Sequence, residues 1–227
     1  MNLQDRDWWI GLDGWVLQDG NYSDFATGER RQFALEFGYR RDRRLRTERS
    51  SAAPALSYTD RGATYQVTGQ LIRSSAEPHK DGFVVDFGLL AYSHWIVLDD
   101  LRPPVAPGWL TGEIDLGVDP FFYIDELSRL PGMPALIYTW TVVEIQLDTN
   151  PGMRVEHGHP LYAGPDEGAR FVRDPRLESW RTIDQTRMWD DAGSYRLRCR
   201  LEDLEPTGSM RATGTSSPYG PLDATTP

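Results

Sequence analysis

The chain has 227 residues, 39% hydrophobic and 26% charged, which is enough to bury a core in one large β domain or two small ones without a disulfide staple. Its formal charge of −10 disfavours nucleic acid and anionic membrane as partners of the surface as a whole and favours a basic partner. No apolar run reaches the roughly 18 residues of a membrane span, Met1 to Asp5 lacks the basic-then-apolar pattern of a secretory signal, and Cys199 is the only cysteine. These features place the protein in the cytoplasm as an expectation, and they exclude an intrachain disulfide and a cysteine-rich zinc site.

In chain order, Ile10, Leu12, Gly14 and Val16 share one parity while Trp9, Trp15 and Leu17 share the other, which predicts a strand over 9–17 covered on both faces. Asp19-Gly20-Asn21 marks a turn, and Phe33, Leu35 and Phe37 alternate in a strand over 31–38. Residues 1–39 therefore read as an N-terminal β-hairpin. From Arg40 to Arg49 six arginines stand against Asp42 and Glu48, a local balance of +4 that leaves −14 for the rest of the chain. Residues 40–61 read as an Arg-rich loop or linker. Lys80 is the only lysine among 24 basic residues, a bias that points to a GC-rich bacterial genome and weakens the case that each Arg was chosen for its chemistry.

Residues 62–150 carry the clearest patterns. Tyr65, Val67, Gly69 and Leu71 alternate in a strand over 64–73, and Phe83, Val85, Phe87 and Leu89 in another over 83–91. Leu110, Gly112, Ile114, Leu116 and Val118 alternate over 109–118, with Glu113 and Asp115 on the outer face. Asp119-Pro120 then opens a helix over 120–130 that Pro131-Gly132 stops. The strand over 135–148 changes phase at Val142-Val143, which predicts a β-bulge. A strand, a short helix and a long bent strand describe an all-β fold: an OB-like curled barrel or a strongly bent antiparallel sheet, with the N-terminal hairpin and one C-terminal strand added. Residues 151–205 form a C-terminal extension that returns the strand over 194–202, in which Tyr195, Leu197, Cys199 and Leu201 alternate with Arg196, Arg198 and Arg200. Residues 206–227 are too poor in apolar side chains to offset ordering and read as a flexible tail.

Signatures of catalysis are missing from the sequence: there is no Gly-x-Ser-x-Gly elbow, phosphate-binding loop or dinucleotide fingerprint. Cys199, on the apolar parity of a strand, is expected to be buried and inert. His157 and His159 are spaced to share one metal ion on an extended chain, but Gly158 and Pro160 favour a solvated loop, so neither metal nor cofactor is expected. The acidic pairs Glu113 with Asp115, Asp99-Asp100 and Asp190-Asp191 read as solvated faces rather than acid catalysts. Trp8, Trp9, Trp15, Trp95, Trp109, Tyr138 and Trp140 exceed what a small barrel core needs, unless they form a core poor in aliphatic residues.

Four functions compete. The favoured one is a non-enzymatic interaction protein, of the toxin-neutralising or regulatory kind, that engages a basic protein partner through Glu113 and Asp115 with Tyr138 and Trp140 as anchors. A nucleic-acid binder would use Arg40, Arg41, Arg43 and Arg44, but Glu113 and Asp115 would repel phosphates on the barrel face. A small-molecule pocket or enzyme inside the barrel is a third reading, and a structural part of a larger assembly a fourth.

Overall fold

Strands dominate the chain. They are β1 (Asp7–Leu12), β2 (Arg30–Gly38), β3 (Arg46–Glu48), β4 (Ala55–Tyr58), β5 (Thr64–Arg73), β6 (Phe83–Asp86), β7 (Leu90–Ser93), β8 (Gly108–Val118), β9 (Ile137–Asp148), β10 (Met153–Val155), β11 (Arg170–Val172), β12 (Trp180–Ile183) and β13 (Tyr195–Leu201). Two short helices accompany them, α1 (Gly14–Gln18) and α2 (Phe122–Asp125), and a 3₁₀ turn, Leu127–Arg129, follows the second. This computed structural model describes residues 6–38, 45–48, 53–59, 61–73, 82–93, 108–150, 153–155, 170–172, 179–187, 189 and 193–210.

The alternation legible in the sequence sets the two faces of each strand. β8 buries Leu110, Ile114, Leu116 and Val118 and turns Glu113, Asp115 and Gly117 outward. Pairing closes eight strands into a barrel, in the order β9–β13–β1–β8–β5–β6–β7–β2 and back to β9. A direct β2–β8 ladder, from Leu35↔Val118 to Gly38↔Asp115, divides this ring into two circuits that share it. One circuit, β9–β13–β1–β8–β2, is antiparallel except where β1 meets β8 at Gly11↔Gly117. Counted from β9, this is the neighbour order of an OB barrel entered at a different strand.

β9 is the long strand of that circuit. Its first half pairs with β2 and its second with β13, and the register steps from Arg198↔Glu144 to Cys199↔Val142, leaving Val143 over. The bulge expected at Val142-Val143 is there, and it lets one strand serve two directions of the barrel.

Several expectations are corrected: the strand over 83–91 is two, β6 and β7, turned back on each other after Asp86, and within 40–61, expected as a loop or linker, β3 pairs with β8 and β4 with β5. The strand over 9–17 ends at Leu12, because Val16 and Leu17 are buried side by side on α1 while Trp15 stays half exposed, a helical rather than alternating pattern. α1 lies between β1 and β2, the connection that carries the helix when the circuit is counted as an OB barrel. The helix over 120–130 is instead one turn of α2 and the 3₁₀ turn, because Phe121 takes a left-handed backbone (φ 73°) at the entry and Glu126 breaks the path. Nor do β1 and β2 form a hairpin, since β8 lies between them.

The barrel core is strongly aromatic. Trp140 stacks on Phe33 (5.6 Å between centroids), and Trp8 and Tyr138 meet its edges at 6.3 and 5.9 Å. A second cluster, of Ala34, Val84, Tyr92, Tyr123, Leu127, Leu136 and Ile137, covers the outer parity of β2 where α2 and the 3₁₀ turn roof it. Residues 206–210, expected in a flexible tail, are held in place: Thr207 and Ile137 exchange backbone hydrogen bonds of 2.7 and 3.0 Å, and Met210 packs on both clusters, while residues 211–227 lie outside the described residues. Among the described residues, no helix is long and apolar enough to cross a membrane.

Candidate functional site

The outer face of β13 carries Arg196, Arg198 and Arg200, and each meets a neighbour. Arg198 bonds to Asp7 (3.4 Å) and Glu144 (2.9 Å), and Arg200 bonds to Asp7 (3.3 Å). Arg196 is held between two indoles, its guanidinium 4.5 Å from the Trp9 ring and 4.4 Å from the Trp180 ring. Its Nε donates to Gln146 Oε1 at 2.7 Å and its Nη1 to the Gly62 carbonyl at 3.5 Å. The basic stripe is thus built into the sheet, with carboxylates from β1 and β9 already in place against two of its members.

Next to it, where β1, β8 and β2 run side by side, lies a cleft of about 1020 Å³. Its floor is backbone. Gly11 pairs with Gly117, Gly117 with Glu36, and Gly38 with Asp115, so both acidic residues face a glycine across the ladder. Glu36 and Asp115 stand diagonally on one face, at Cα positions that such neighbours hold about 7–8 Å apart, with no side chain between them. A Cβ at Gly117 would come within 3.7 Å of the Gly11 carbonyl oxygen, ordinary contact, so what the glycine keeps open is the space above the sheet.

The walls combine both charges with aromatic rings. Asp13, Glu36 and Asp115 line the cleft, as do Arg61 and Arg196, and Trp15 and Trp180 flank it. Asp115 accepts a hydrogen bond from Thr64 Oγ1, and Asp13 accepts one from Ser194 Oγ at 3.1 Å. The turn that carries Arg61 is pinned through Gly62, whose carbonyl accepts from Tyr58 Oη at 3.3 Å and from Arg196. The indole N–H of Trp180 is buried without an acceptor among the described residues. Among the described residues, no three His, Cys, Asp or Glu side chains close on one point as metal ligands would.

Just past the end of β8, four residues beyond Asp115, the environment changes. Asp119 is fully buried, and its Oδ1 accepts from Tyr92 Oη and from the Tyr123 backbone N–H at 3.0 Å. Oδ2 and the nearby Tyr22 hydroxyl are buried without partners among the described residues. Burial pushes the Asp119 carboxyl up to about 6, against the lowering effect of those hydrogen bonds, and pushes the Tyr92 hydroxyl well above its usual value.

Of the residues singled out from sequence, Asp115 belongs to the cleft. Glu113 shares its face, opposite Gln66 of β5, but does not line the cleft. Tyr138 and Trp140 cannot anchor a partner, because they are buried at 2% and 0% exposure on the inner parity of β9, and Tyr138 Oη accepts the Leu90 N–H at 2.8 Å. Cys199 is buried and its thiol is pushed up by that burial. Arg40, Arg41, Arg43, Arg44, His157, His159, Trp95, Asp99, Asp100, Asp190 and Asp191 lie outside the described residues.

Sequence reading missed Asp13, Glu36, Arg61, Arg196 and Trp180. One signal was present: Gly11 and Gly117 occupy outward positions of strands, where a glycine marks open backbone, and their meeting depended on a parallel contact no local pattern reveals. Comparison with known proteins finds no family model, curated sequence or solved structure that matches the chain.

Proposed function

We propose that the protein is a binding protein whose ligand is a small polar molecule held in the cleft over Gly11 and Gly117. One observation carries the reading: a cavity of about 1020 Å³ with a backbone floor, polar side chains of both charges and flanking indoles. Ligand sites are concave, largely preformed and equipped with a few fixed polar groups, and this cleft has its rim pinned by Tyr58, Thr64, Ser194 and Arg196. The test is a thermal-shift screen of a mixed small-molecule library against the full chain and against Gly117→Val, which fills the floor. A ligand at about 100 times its Kd adds about 2.7 kcal/mol to stability. Compounds that raise Tm in the wild type and not in the variant support the reading; a screen in which the two proteins respond alike overturns it.

Binding of a basic protein partner stands second. Glu113 and Asp115 reach one outer face on a chain of net charge −10, which favours encounter with a cation. It loses the aromatic anchors assigned to it, since Tyr138 and Trp140 are in the core.

A further inference from the structure

We infer that the ligand is a neutral saccharide of more than one ring, an inference that rests on the cleft being a ligand site. Among the described residues, three carboxylates against two guanidinium groups leave the lining one negative charge from neutral. A phosphate or carboxylate ligand meets Asp13, Glu36 and Asp115, and a cation meets Arg61 and Arg196. A hydroxyl suits both sets, because it donates to a carboxylate and accepts from a guanidinium, and a polyol does so at several points with no net charge.

The apolar features agree with the polar ones. Trp15 lines the cleft and is 50% exposed, so an indole face stands in water with hydrogen-bonding groups around it. A pyranose has the matching character, an apolar C–H face with hydroxyls at its rim, and covering the indole removes apolar surface from water. The glycine floor lets a flat ring approach the sheet. Size extends the inference from one ring to several, since the cleft matches the upper end of the range of about 300–1,000 Å³ in which drug-sized ligands sit.

The experiment measures binding of the full chain to a panel of neutral oligosaccharides built from hexoses, N-acetylhexosamines and pentoses. Hexaarginine and ATP serve as charged probes, and each binder is repeated with Trp15→Ala and Gly117→Val. Trp15 is exposed on α1, so its replacement leaves the core intact even if Gly117→Val perturbs folding. The expected result is binding of at least one neutral oligosaccharide, with a change in tryptophan emission, weakened at least about tenfold by Trp15→Ala, the ratio set by about 1.4 kcal/mol. If hexaarginine or ATP binds in the cleft and no oligosaccharide does, the saccharide assignment fails while the ligand site stands. If no probe distinguishes the wild type from either variant and the mixed library also finds nothing, both fail.

Discussion

Asp115 and Asp119 lie on the same face of one strand path, four residues apart, and meet opposite fates. Asp115 opens onto the cleft with Gly38 across the ladder, whereas Asp119 is sealed under Tyr92 and Tyr123 at the end where Ala34 faces it. The difference lies in what covers the sheet. α2, the 3₁₀ turn and Val84 with Tyr92 from β6 and β7 roof one end of the β2–β8 ladder, and at the other end glycines leave the backbone bare. A strand face therefore does not define an environment by itself; the second layer does.

The largest effect is expected from taking the roof away. Leu127 is fully buried in the second cluster, and Leu127→Ala should cost about 2–5 kcal/mol by urea denaturation, the range for a buried leucine that leaves a cavity. With water admitted, the Asp119 carboxyl should also drop toward the usual range. A cost below about 1 kcal/mol would show that the roof contributes little.

Asp119→Asn tests the sealed carboxyl directly. Its folded value of about 6 lies above the unfolded one, so the proton it holds stabilises the fold fully at low pH, and that stability is lost as pH rises from about 4 through 6. The span amounts to on the order of 3 kcal/mol. Relative to the wild type, the Asn variant should lose less stability between pH 4 and 7, because it has no proton to release. Parallel curves for the two proteins would contradict the burial argument. Gly117→Val, at the open end, should change stability by less than about 1 kcal/mol, since its Cβ meets nothing closer than 3.7 Å. A large loss there would mean that the floor is closed.

Much of this arrangement was legible before the structure. Strand alternation located Leu110 to Val118 and the Val142-Val143 bulge, because both are properties of a single strand. Burial of Cys199 between Leu197 and Leu201 follows for the same reason. Pairing was not legible: the Gly11↔Gly117 contact joins segments far apart in sequence, and β13 sits between β1 and β9 only because the chain returns across the barrel. The site depends on those non-local contacts, so its glycines looked like weak strand residues. Tyr138 and Trp140 misled for another reason, since an aromatic residue suits a core and an interface equally well until its neighbours are known.

The smallest structural effect separates the two readings of the open end. Glu113→Gln with Asp115→Asn removes both charges while keeping an acceptor for Thr64 Oγ1, so stability should move by no more than about 0.5 kcal/mol. Coulomb attraction between exposed charges is screened over about 10 Å at 0.1 M salt, whereas hydroxyl hydrogen bonds and indole contact are not. If a saccharide occupies the cleft, its affinity in the wild type should be nearly independent of salt, and the double variant should weaken it only through one altered hydrogen-bond partner. If a basic partner is recognised instead, hexaarginine should bind the wild type, weaken steeply between low and high salt, and lose most of that salt dependence in the double variant. Titration of both probes at two ionic strengths decides the matter, because the near-isosteric, charge-removing change leaves the fold and the glycine floor as they are.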